Sequence, residues 1–243
     1  MAGKVALVTG STQGLGEAVA RLFAERGAAG LVVTGRNAAN GARVAADLRK
    51  MGARAIYVEA DLARLADARL LVAACEKEFG RLDALVNCAA ITDRGSIWDT
   101  SPELYDRMLA INLKAPFFIM QDAVHLMRKT ATKGTIVNIG THAGVRPKGS
   151  SIPYAASKAA LHHVTKLLAL SLGPDVRVNA VAPGLVETPM TANWPDMLET
   201  WKARSPMRRP AKPEEIADLV AALAANRYVT GEIVLADGGL NLT

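Results

Sequence analysis

With 243 residues, half of them apolar, the chain has material for a sizeable buried core, while an aromatic share of 5% offers no platform for stacking nucleic acid bases. The formal charge of +6 comes from Lys and Arg scattered without a basic run, which describes a solvated surface and argues against a nucleic acid partner. No long apolar run lacks charges, the N-terminus enters its first strand without a signal peptide, and two cysteines make no disulfide framework, so a cytoplasmic protein with no membrane segment is expected, with Cys75 and Cys88 as small buried residues.

In chain order, the apolar, β-branched run Lys4 to Gly10 reads as a buried strand. It feeds a turn punctuated by Gly10, Gly14 and Gly16, after which Val19, Leu22 and Phe23 recur at helical spacing up to an end at Arg26 and Gly27. A strand, a glycine turn and a helix N-terminus in that order let backbone N–H groups approach a pyrophosphate along the helix dipole. Further strands are expected at Gly30 to Asn37, Arg54 to Asp61, Leu82 to Asn87, Thr135 to Gly140, Val176 to Ala182 and Glu232 to Asp237, with a long helix around Leu104 to Met127. Strands and helices alternate without a Pro- or Ser-rich linker. The pattern predicts one α/β domain over 1–243, a doubly wound Rossmann fold with a seven-stranded parallel sheet flanked by helices. In such a sheet ligands bind beyond the carboxyl ends of the strands, where Thr9, Asp61, Asn87, Thr141 and Pro183 fall.

Tyr154 and Lys158 are four residues apart and share one face of a helix. An ammonium beside a phenol favours its ionised form and brings a group with a reference pKa of about 10 toward working range. The plain alternative is a helix face with a half-exposed tyrosine and a solvated lysine. His142 has no cysteine or carboxylate at ligand spacing, so no metal site is expected.

The glycine spacing of the first turn, the segment YAASK around Tyr154, and LVNCAA, AINLKAPF, VNIGTHAG and VNAVAPGLVET in their order resemble the short-chain dehydrogenase/reductase family, specifically its short single-domain members and among them the 3-oxoacyl-[acyl-carrier-protein] reductases. The likeness spans nearly the whole chain. It implies that Tyr154 is the general acid or base at a ketone or secondary alcohol, that Lys158 binds the nicotinamide ribose and lowers the tyrosine pKa, and that Thr141 hydrogen-bonds the carbonyl. Asn112 would shape a local kink and hold a water. Gly10, Thr12, Gln13, Gly14, Leu15 and Gly16 would wrap the dinucleotide, Asp61 and Leu62 its adenine, Asn87 and Ala89 its middle, and Pro183, Gly184, Val186 and Thr188 its nicotinamide end; a bare loop turn is the commoner meaning of a Pro-Gly pair.

Two positions depart from the family pattern. Thr141 stands where serine is usual, keeping the hydroxyl but adding a stiffening methyl. Cys88 and Ala90 replace an asparagine and a glycine, and both changes fit adjustments within an enzyme. For the cofactor, the place of an acid that would bind the adenosine ribose is near Gly35, which carries no carboxylate; Arg36 follows and suits a 2′-phosphate, favouring NADP(H) over NAD(H), although Gln13 replaces a basic residue common in NADP members. Expected substrate walls are Arg94 to Trp98, His142 to Ile152, and a loop over about 188–212 whose Met190, Trp194, Met197 and Trp201 form an apolar lid; Arg94, Arg146 and Lys148 are the cations nearest an anionic substrate. A small-molecule ketone or alcohol, acyl-carrier-protein linked in one version, is the expected partner. A sugar or cyclic alcohol dehydrogenase and a catalytically silent dinucleotide sensor are the alternatives. The resemblance also implies a homotetramer built on the Leu104 to Met127 helix and the helix after Tyr154, where Ala155, Ala156, Ala159, Ala160 and Leu161 are small or apolar enough for close packing.

Overall fold

Seven short strands carry the centre of the chain, and four residues suffice for the first of them: β1 (Val5–Val8) is VALV, buried at every position. Continuous apolar runs of this kind belong to strands covered on both faces, which is the parallel arrangement. The computed structural model describes residues 1–93, 96–147 and 151–243. The other strands are β2 (Gly30–Gly35), β3 (Arg54–Glu59), β4 (Ala84–Asn87), β5 (Gly134–Ile139), β6 (Val176–Pro183) and β7 (Ile233–Ala236), all parallel, in the order β3-β2-β1-β4-β5-β6-β7. The order reverses between β1 and β4, and a crevice opens where the crossovers diverge.

Helices cover both faces. On one lie α1 (Gly14–Glu25), α2 (Ala38–Lys50) and α8 (Pro213–Ala225), packed over a core that includes Phe23, Val33, Leu48, Val86, Val137 and Val220. On the other lie α3 (Leu65–Phe79), α4 (Pro102–Leu109), α5 (Ala115–Lys129) and α6 (Ile152–Leu172), over Leu7, Leu71, Leu85, Ile119, Met120 and Leu161. A further helix, α7 (Pro195–Arg204), stands off the sheet in the segment after β6. Among the described residues no helix is long and apolar enough to cross a membrane.

Two sequence expectations change here. The long helix expected over Leu104 to Met127 is broken at the kink implied for Asn112: a π-helical turn, Ala110–Lys114, joins α4 to α5, and the Ala115 N–H donates to the carbonyl of Ala110 five residues back. Pro116 gives the physical reason, since it has no N–H to offer the carbonyl of Asn112 four residues earlier. Leu161, expected on an intersubunit face, is 1% exposed and packs in the core under α6.

Candidate active site

Backbone builds one end of the site. Gly10 leaves β1 with φ of +65°, and a Cβ there would lie 2.7 Å from the Cα of Ala89. Gly16 admits the turn to the helix, since its Cβ would fall 2.3 Å from the carbonyl oxygen of Gly10. Side chains lock the strand ends around this turn. The Thr9 hydroxyl accepts from the N–H groups of Cys88 and Ala89 at 3.0 and 3.1 Å, and the Ser11 hydroxyl donates to the Val8 carbonyl at 2.6 Å while accepting from Thr34 N at 3.0 Å. Gln13 places no side-chain cap on α1, so the first N–H groups of a twelve-residue helix face the crevice. This end therefore presents the free N–H groups and the bare backbone that a pyrophosphate needs.

At the far rim of this end, Arg36 is exposed beside Gly35. Gly35 is constrained: the Tyr57 hydroxyl donates to its carbonyl at 2.8 Å, and a Cβ on it would lie 2.6 Å from the Thr12 Oγ1. Asp61 sits opposite, its Oδ1 accepting from Ala63 N at 3.1 Å, with Leu62 beside it.

The other end is built by α6 and the end of β5. Ser151 caps α6 by accepting from Tyr154 N at 3.2 Å, which holds Tyr154 in the first helical turn. Its phenol and the Thr141 hydroxyl line the same cleft. Lys158, one turn on, is 1% exposed, and its ammonium donates to the Ile139 carbonyl at 2.7 Å. Burial pushes Lys158 down to about 8 and Tyr154 up to about 12, the nearby Thr141 hydroxyl opposing the latter shift. The lowering of the tyrosine expected from its lysine neighbour is not seen: burial raises the phenol, and the ammonium donates to the Ile139 carbonyl. Asn112, in the π-helical turn, is fully buried: its Oδ1 accepts from Ile91 N at 2.9 Å, and its Nδ2 donates to the Ile91 carbonyl at 2.9 Å and to Ser157 Oγ at 3.2 Å. It ties the segment after β4 to α6 without lining the cleft.

A cavity of about 300 Å³ joins the two ends. Gly10, Thr12, Gln13, Gly14, Leu15, Gly16, Arg36, Asp61, Leu62, Ala89, Thr141, Tyr154, Lys158, Pro183, Gly184, Val186 and Thr188 all line it. Asn87 does not; its side chain turns into the sheet, 1% exposed, and donates to Asn138 Oδ1 at 2.8 Å. Cys88, expected as a plain buried residue, is half-buried in the lining, close enough to Tyr154 and Lys158 to act on their charges, and burial raises its thiol to about 12.

The substrate side is apolar. Met190, Trp194, Met197 and Trp201 line it from the segment after β6, so α7 forms one wall. Trp201 is 3% exposed, with the His142 ring edge-on to it at 5.4 Å between centroids, and Gly184 leaves room for its indole. Ile111, Ile139 and Leu185 complete this lining and were not anticipated from sequence, where each is one more core-like aliphatic. Arg94 and Lys148 lie outside the described residues. Arg146 is directed to the carbonyl of Asn241.

The profile of a family described as enoyl-(acyl carrier protein) reductase matches residues 10–241. The chain is 41% identical to the putative ketoacyl reductase 2 of the granaticin polyketide synthase of Streptomyces violaceoruber, over 98% of this chain and 96% of that protein. It is 36% identical to a 3-oxoacyl-[acyl-carrier-protein] reductase of Thermotoga maritima, over 98% of both. Among solved structures, a variant of the actinorhodin polyketide ketoreductase with NADPH superposes with a TM-score of 0.91 at 31% identity, covering 100% of both chains.

Proposed function

The chain belongs to the short-chain dehydrogenase/reductase family, whose members bind a nicotinamide dinucleotide, and we propose that it is an NADP(H)-dependent ketoreductase interconverting a ketone and a secondary alcohol. The observation that carries the reading is the Tyr154 phenol, which lines one cleft with the Thr141 hydroxyl, Lys158 and the glycine turn. The first turn of α1 would hold the pyrophosphate, Asp61 and Leu62 the adenine side, Lys158 the ribose next to the nicotinamide, and Gly184, Val186 and Thr188 the nicotinamide end. Bound there, the dinucleotide supplies or accepts a hydride.

The protein's own work is the proton. A phenol held near 12 is fully protonated at neutral pH, so Tyr154 stands loaded as an acid, and it gives its proton to the carbonyl oxygen as negative charge develops there. The Thr141 hydroxyl orients that oxygen by donating to it. Lys158, fixed by the Ile139 carbonyl, brings positive charge one helical turn from Tyr154 and favours the phenolate left when the proton has gone. Asn112 holds the segment bearing Ile91 against α6, which keeps the wall beside Tyr154 in place. Arg36 would pair with a 2′-phosphate. An acid in place of Gly35, the choice that suits NAD(H), would collide with Thr12.

The ketoacyl and 3-oxoacyl activities named for the two relatives, together with the apolar wall, support a 3-oxoacyl substrate, carrier-protein linked or free. A homotetramer fits the surface of α6, where Ala156 and Ala159 are exposed and Leu167 and Leu170 are 51% and 85% exposed. The test is NADPH oxidation over a panel containing a 3-oxoacyl thioester and a cyclic ketone. Tyr154→Phe keeps the ring and loses the proton, and turnover should fall by about 10²–10⁴ with NADPH affinity retained. Thr141→Ser should stay active and Thr141→Val should lose most activity. Full turnover by Tyr154→Phe would overturn the mechanism.

A further inference from the structure

The loop that carries Thr141 runs from Gly140 to Gly144, and one side chain of α6 stands inside it. His162 is 6% exposed and lies two turns beyond Tyr154 and one beyond Lys158 on the same helix face. A Cβ on Gly140 would come to 1.9 Å from its Nε2, and a Cβ on Gly144 to 2.9 Å from its Cε1. Both glycines have ordinary negative φ, so neither is there for a backbone conformation that only glycine adopts. Their missing side chains are space, and the imidazole fills it.

The ring is also anchored. A Cβ on Gly144 would lie 3.1 Å from its Nδ1, so that edge of the ring is gripped too, while Nε2 is buried with no partner among the described residues. Burial, then the charge of Lys158, hold the imidazole down to about 4, so it stays neutral and acts by shape. A leucine would fill similar volume without the cost of an orphaned buried nitrogen. Inside the clasp, Thr141 also caps the short helical turn His142–Gly144, its Oγ1 accepting from Ala143 N at 3.4 Å. A slack loop would release the hydroxyl from Ala143 and shift it relative to Tyr154.

We infer that His162 is a positioning residue for Thr141: its imidazole, clasped between Gly140 and Gly144, fixes the loop that aims the threonine hydroxyl at the substrate carbonyl. The inference rests on the ketoreductase reading for its functional consequence, but the clasp itself is a packing statement and can be tested apart from turnover. Four proteins are compared: wild type, Gly140→Ala, His162→Ala, and the double variant. The new methyl meets the ring only in the first variant. Gly140→Ala should therefore lower Tm and cut turnover at least tenfold, while adding the same substitution to His162→Ala should change neither by more than about twofold or a degree or so.

His162→Ala should itself lower kcat several-fold, with the affinity for NADPH, measured by nucleotide fluorescence, unchanged. His162→Gln, which refills much of the space between the two glycines, should recover part of the loss. Should Gly140→Ala fail to fold, Gly144→Ala, a milder crowding of the same ring, takes its place in the cycle. Equal damage by the glycine substitution in both backgrounds, or unchanged kcat in His162→Ala, overturns the inference. If wild type oxidises no NADPH with any ketone, the ketoreductase reading fails; the Tm comparison still decides whether the clasp exists.

Discussion

The two ends of the cleft are made of different material. The dinucleotide end is backbone: Gly10 and Gly16 remove side chains where main chain crosses main chain, and Thr9 and Ser11 staple strand ends to one another. The substrate end is side chain: an apolar face from α7 and the segment before it, held by the contact of Trp201 with His142. A backbone site tolerates almost no change at its contact points, because a misplaced Cβ meets atoms that cannot rotate away. A side-chain site can repack, and Met in particular adapts to the shape it meets. The first should be brittle and specific for a common cofactor, the second forgiving and tunable in substrate.

The sharpest way to break this contrast is to compare two glycines of nearly equal backbone conformation. Gly3 has φ of +68° with nothing within 4 Å of a Cβ, whereas Gly10 has φ of +65° and a Cβ 2.7 Å from the Ala89 backbone. Gly3→Ala measures the left-handed penalty alone, of order 1–2 kcal/mol. Gly10→Ala adds a collision that only movement of β1 against β4 relieves, and it should abolish measurable NADPH binding while Gly3→Ala leaves binding intact at a lower Tm. Matching behaviour in the two variants would mean that the turn has slack, and the contrast between the ends of the cleft would lose its basis.

The same division explains what the sequence made legible. Buried strands announce themselves as short apolar runs, and all seven appear within one or two residues of their expected ends. The glycine turn is equally plain, since spacing alone says where side chains are missing. Asn112 and a local kink around it were legible through the family resemblance, yet the form of the break, a π-helical turn ahead of Pro116, was not, because Pro116 was passed over inside a pattern that is otherwise helical. Ile111, Ile139 and Leu185 carried no signal at all: an aliphatic that lines a cavity and one that fills a core are the same letter. His162 was hidden for a related reason, as its meaning lies in two glycines about twenty residues away that look like ordinary loop punctuation.

A smaller effect is expected at the cofactor rim, where backbone gives way to a side chain. Among the described residues no carboxylate pairs with Arg36, so its guanidinium is available to a phosphate. Charge-assisted hydrogen bonds contribute about 1.5–3 kcal/mol, and exposure of Arg36 argues for the lower end. Arg36→Ala should weaken NADPH by roughly tenfold and leave NADH nearly unchanged, read as the two dissociation constants. Equal loss for both nucleotides would reassign Arg36 to plain surface.

The smallest effect separates the chemistry of the site from its packing, and it is read as stability against pH in the absence of nucleotide. Lys158 titrates near 8 in the folded protein because burial disfavours its charge, against about 10.4 in an unfolded chain. Between those values the unfolded state holds more protons than the folded one, so this group makes stability rise as pH increases from 8 toward 10. Cys75 and Cys88 work in the opposite sense, since burial holds both near 12 when folded, and their contribution is lost as pH climbs past the ordinary thiol range. The two effects overlap in wild type, and only a difference isolates the lysine. Lys158→Met keeps the length of the side chain and removes its titration while leaving both cysteines in place. Subtracting the Tm profile of that variant from the wild-type profile should give a curve that rises by a few degrees between pH 8 and 10 and is flat below 7. A difference that stays flat throughout would show that Lys158 keeps its full charge in the free site up to its ordinary range, and that its bond to the Ile139 carbonyl offsets the burial.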